Sequence, residues 1–154
     1  MREDFKNIVM FHGVSATEYS TPKQAFKKIK AIAENPEWEI CCSNVHYGNI
    51  GIICTGDVIV AYNDDVSSLI DDNGHRYTDN HDDECTLEQW NNSVGTEAWV
   101  KNVKIHGIWI DEFYANQLVR SNLLKNFAKF GNIEIINHNS LIAKKAIDEY
   151  LNNL

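Results

Sequence analysis

Short runs of β-branched and aromatic residues recur through the middle of the chain, over 38–42, 50–55, 57–62, 98–100 and 105–110, while helical periodicity is confined to the flanks. Runs of this composition, punctuated by Gly, Asn and Asp, read as strands. A further apolar run over 8–11 stops at His12-Gly13 and reads as a buried strand. Thr21-Pro22 opens a helix, Thr21 as its cap and Pro22 at its first position. Ala25, Phe26, Ile29, Ile32 and Ala33 recur on one side of that helix, four lysines stand mostly elsewhere, and Asn35-Pro36 ends it. An amphipathic helix over 112–129, a strand over 133–136 and a terminal helix over 141–154 complete the order. Strands clustered between helices, rather than alternating with them, predict an α+β domain and not a doubly wound parallel sheet.

The 154 residues are enough for one domain with a real core, and no linker, repeat or low-complexity tract divides residues 1–154. Lys and Arg number 14 against 22 Asp and Glu, a formal net charge of −8. Such a surface repels nucleic-acid phosphates at long range, and suits instead a protein that imitates nucleic acid for a basic partner. No apolar run approaches the ~20 residues of a bilayer span, and the N-terminus has no signal-peptide core, so a cytoplasmic location is expected. Cys41, Cys42, Cys54 and Cys85 form no C-x-x-C pair, which leaves buried reduced thiols as the expectation. Residues 63–92 are dominated by Asp, Asn and turn formers, with a weak helix at 86–92. Segments this long and polar inside a domain are usually functional or mobile. The stretch holds Asp71, Asp72, His75, Asp79, His81, Asp82, Asp83 and Glu84, but in neither a calcium-loop register nor a zinc spacing, so no metal is expected.

Two motifs carry chemistry. Gly95-Thr96-Glu97-Ala98-Trp99-Val100 sets a carboxylate at the lip of an apolar strand, and the segment 101–110 follows at once with a second. Phe11-His12-Gly13 closes the first strand with an imidazole and a residue whose backbone a ligand can approach closely. In this order the motifs resemble the mono-ADP-ribosyltransferases, whose strand-borne His-Gly grips NAD and whose late Glu begins a strand. Segment 103–110 resembles the strand that follows the catalytic Glu in that family. The candidate middle element is Cys41-Cys42-Ser43-Asn44 with His46-Tyr47-Gly48; it departs from the family's Ser-Thr-Ser form by placing cysteines where hydroxyls are common. Gly95 stands two positions before Glu97, where arginine-directed relatives carry Glu and several others Gln.

The resemblance spans 8–112 in short motifs and implies a domain of two packed β-sheets with flanking helices, ADP-ribosyltransferase-like, around an NAD cleft. Glu97 would be the catalytic carboxylate, stabilising the oxocarbenium-like transition state as nicotinamide leaves. His12 and Gly13 would grip NAD, Ser43 would fix the pocket floor, and Tyr47 would stack on the cationic nicotinamide ring. The product would be an ADP-ribosylated macromolecule, protein or nucleic acid, and in the family's context the chain would be a bacterial or phage effector or toxin. The rival expectation is a non-catalytic acidic binding or inhibitor protein, either a nucleic-acid mimic or an inactive family member.

Overall fold

The computed structural model describes residues 1–14, 21–46, 48–62, 84–92 and 96–136. Tyr47, the acidic stretch 63–83 and the expected helix over 141–154 lie outside the described residues. After a 3-10 turn at Glu3–Phe5 the elements run β1 (Met10–Gly13), α1 (Pro22–Glu34), β2 (Ile40–Ser43), β3 (Ile50–Tyr62), α2 (Leu87–Asn92), β4 (Glu97–Asp111), α3 (Glu112–Arg120), α4 (Leu124–Ala128) and β5 (Asn132–Ile136). They form an α+β domain around one five-stranded mixed sheet in the order β2-β1-β3-β4-β5.

Two packed sheets were expected; the described strands form one continuous sheet. The reason lies in β3 and β4, which are 13 and 15 residues long and pair with each other along almost their whole lengths. The runs on either side of Gly56 form one strand, as do those on either side of Lys101-Asn102. The β3–β4 register shifts at Ile53/Cys54, Thr55/Asp57 and Val58/Val60. Such bulges sharpen the twist of the strands that carry them. The coiled hairpin thereby brings together its two outer edges: β1 lies on β3, β2 lies on β4, and β1 and β2 pair through Phe11 and Ser43. Strands β1, β2, β4 and β3 so form a closed circuit of antiparallel pairs, with β5 added parallel to β4 at Gly107 to Asp111.

The pleat sends alternate side chains to opposite faces. One face carries Met10, Ile40, Cys42, Ile50, Ile52, Cys54, Ala98, Val100, Ile108 and Ile110 into the main core, which the helices cover through Ala25, Ile29, Ile32, Trp90, Tyr114, Leu118 and Phe127. The other face carries a smaller cluster of Val9, Phe11, Ile53, Trp109 and Ile136. Helix α1 forms where its sequence signals put it. Thr21 Oγ1 accepts from the Gln24 amide and Gln24 Oε1 accepts from the Thr21 amide, a full capping box, and Pro22 fits the first turn. The single helix expected over 112–129 is two, because Asn122 takes a left-handed φ of 63° between α3 and α4. Among the described residues no helix is long and apolar enough to cross a membrane. None of the four cysteines is in a disulfide; the sulfurs of buried Cys42 and Cys54 lie 3.8 Å apart.

Candidate functional site

His12 is the third residue of β1 and follows Met10 in the pleat, so its ring lies on the helix-covered face. Its Nδ1 is 2.6 Å from the carbonyl oxygen of Cys41. A carbonyl can only accept, so Nδ1 carries the proton and Nε2 of the neutral ring is left as an acceptor. Burial pushes the His12 pKa below its ordinary value, the bond to Cys41 opposes that shift, and the nearby charge of Lys28 adds to it. The neutral imidazole is therefore the favoured form.

His12 opens into a cavity of about 510 Å3 between the end of β1 and α1. Val14, Ala31, Ile32 and Ile40 give it apolar walls, Trp38, a residue 46% exposed, flanks it, and Lys27 and Lys28 add two ammonium groups. The amphipathic helix creates this wall: Lys27 and Ala31, like Lys28 and Ile32, are one helical turn apart and share a side. Lys28 Nζ donates to the Val14 carbonyl at 3.2 Å, which holds the ammonium near the end of β1. Gly13 also lines the cavity and pairs with Gly51 on β3.

Glu97 and Ser43 are elsewhere. Glu97 begins β4 and is the direct cross-strand partner of Ser43 on β2 and of Tyr62 on β3. Ser43 is in turn the partner of Phe11. Residues paired in this way project to the same face, so Phe11, Ser43, Glu97 and Tyr62 form a row across the sheet. Phe11 and His12 are neighbours on one strand and face apart. Ser43 and Glu97 thus share a face, and His12 lies on the other. The Ser43 hydroxyl is buried and accepts from the Val45 amide at 3.2 Å, turning the chain as it leaves β2. This turn brings His46 against Phe11 and Trp109, with ring centroids 5.4 and 5.1 Å away. His46 thus stands on the face that carries Phe11 and Glu97, opposite His12.

Gly13 lines the cavity together with His12, as their shared motif led one to expect, but sequence reasoning gave the other lining residues no functional role. Lys27 and Lys28 read only as lying off the apolar side of the helix, and Trp38 read as strand. The available signal was the i, i+4 spacing of two Lys over Ala31 and Ile32, in a helix that follows the His-Gly strand end.

No protein-family model, no curated protein and no solved structure matches this chain.

Proposed function

We propose that the chain is a binding protein whose ligand, a small molecule, enters the cavity between α1 and the end of β1. The cavity carries this reading. Its volume of about 510 Å3 is within the roughly 300–1,000 Å3 of small-molecule sites, which are mostly apolar with a few placed polar groups. Here those groups are His12, Lys27 and Lys28, on a wall of Val14, Ala31, Ile32 and Ile40. The test is a thermal-shift screen of a metabolite library on the parent and on Ala31→Trp, which fills the cavity. Ligands should raise the melting temperature of the parent by mass action and leave the variant unmoved. Shifts of equal size in both proteins would place the ligand elsewhere and end the proposal.

A second reading keeps the NAD-dependent mono-ADP-ribosyltransferase. The observation in its favour is the pairing of Glu97 with Ser43, which sets a carboxylate beside a hydroxyl on one face. Glu97 would be its catalytic carboxylate, with Ser43 as the pocket residue, and a macromolecular acceptor would take the ADP-ribose as nicotinamide leaves. The NAD grip assigned to His12 needs a different residue in this reading, because its ring faces away. Glu97→Gln should bind NAD almost as the parent does and release nicotinamide about 10²-fold more slowly, since the carboxylate acts mainly in the transition state. Equal release by the two proteins would remove this reading.

A further inference from the structure

We infer that the cavity beneath α1 takes a small carboxylate with a compact apolar body; this rests on the binding-protein reading above. The first ground is charge. The chain carries a net charge of −8, yet α1 carries Lys23, Lys27, Lys28 and Lys30 against the single carboxylate of Glu34. Two of those four lysines, Lys27 and Lys28, line the cavity. In an acidic protein a local cationic rim selects anions at a place where the rest of the surface repels them. The second ground is hydrogen-bond capacity. An ammonium has three donors, and the Lys28–Val14 contact uses one while holding the group in position. The remaining donors suit a carboxylate, and charge-assisted bonds of this kind are roughly twice as strong as neutral ones.

The third ground is the rest of the lining. Val14, Ala31, Ile32 and Ile40 offer no hydrogen bonds from their side chains, the Trp38 ring adds a flat apolar side, and beyond the lysines His12 supplies a single acceptor, Nε2, which suits neither a second anionic group nor a dense set of hydroxyls. A sugar phosphate or other densely polar anion would lose more hydration there than these few groups replace. An apolar body loses nothing and gains contact. The anionic end therefore lies at the lysines and the hydrophobic part against Ile32, Ile40 and Trp38.

Isothermal titration of the full chain with 3-phenylpropionate, 3-phenylpropanamide and 3-phenylpropylamine separates the contributions, since the three share one body and differ in charge. The acid should bind about tenfold or more tightly than the amide, and the amine least. In Lys27→Gln/Lys28→Gln the affinity for the acid should fall to that for the amide, and in Ala31→Trp the acid should not bind. Circular dichroism and melting of each variant report its folding independently. Equal affinity for acid and amide, or no binding of any of the three, overturns the carboxylate assignment. Acid binding that survives Ala31→Trp overturns the cavity reading itself.

Discussion

A methyl group added at Gly51 would lie 2.5 Å from the carbonyl oxygen of His12 and 2.6 Å from the ring of Trp109. Neither can give way easily, since the first is backbone in the β1–β3 ladder and the second is fully buried. Gly51→Ala should therefore destabilise the fold by about 1–3 kcal/mol, as overpacking does, and urea unfolding will measure it. Retention of parental stability would mean that β1 and β3 are not apposed in this register. At His12 the effect is one of protonation. Its folded pKa lies below the ordinary 6.5 because burial disfavours the cation. As pH falls through 6.5 the unfolded chain binds a proton that the folded chain does not, so stability is lost on acidification and levels off below the folded pKa. Each unit of depression is worth about 1.4 kcal/mol. His106 is shifted in the same direction, by burial and then by Lys104, so the comparison must isolate His12. Between pH 7.5 and 5 the parent should lose more stability than His12→Gln, and parallel losses would show that His12 contributes nothing. His12 and Gly13 were legible as a strand end because an apolar run stops there. The bond from Nδ1 to Cys41 was not legible, since it joins residues 29 apart.

Among the elements, α1 was the most legible and β4 the least. Thr21-Pro22 and Asn35-Pro36 punctuate α1 with local chemistry that tertiary structure had no reason to override. Thr21→Ala should cost about 1 kcal/mol through loss of the cap, readable as a lowered urea midpoint; an unchanged midpoint would mean that the capping box is not maintained in solution. In β4 the polar Lys101-Asn102 pair reads as a break between strands, but the backbone continues through it. Asn102 accommodates the irregularity with a left-handed φ of 54°, and its side-chain amide donates to Asp57 at 2.8 Å. Asn tolerates that conformation and β-branched residues do not. Asn102→Val should thus cost about 1–2 kcal/mol and Asn102→Gly much less. Equal cost for the two would show that lost hydrogen bonding, rather than backbone strain, dominates at this bulge. The break at Asn122 escaped for the opposite reason: helical periodicity persists across it, so hydrophobic pattern alone predicts one helix where the backbone makes two.

At the level of the whole molecule, the class was legible and the relation between the two motifs was not. Hydrophobic alternation gives the inward side of each strand but not the phase of one strand against another, and a slip of one residue exchanges the faces. The pairing of Phe11 with Ser43, and of Ser43 with Glu97, is what sends His12 and Glu97 to opposite sides. Motif order in the sequence carries no trace of it. The same circuit has a consequence during synthesis. When the ribosome has released the chain through Tyr62, β1, β2 and β3 exist, but the edge of β2 that pairs with β4 and the edge of β3 that pairs with β4 are both still open. Exposed edges recruit other strands, and pairings between segments distant in sequence form slowly. A nascent chain therefore spends the translation time from Tyr62 to Asp111 as an incomplete ring, the interval in which a chaperone, or a second nascent copy, has the greatest opportunity to bind it.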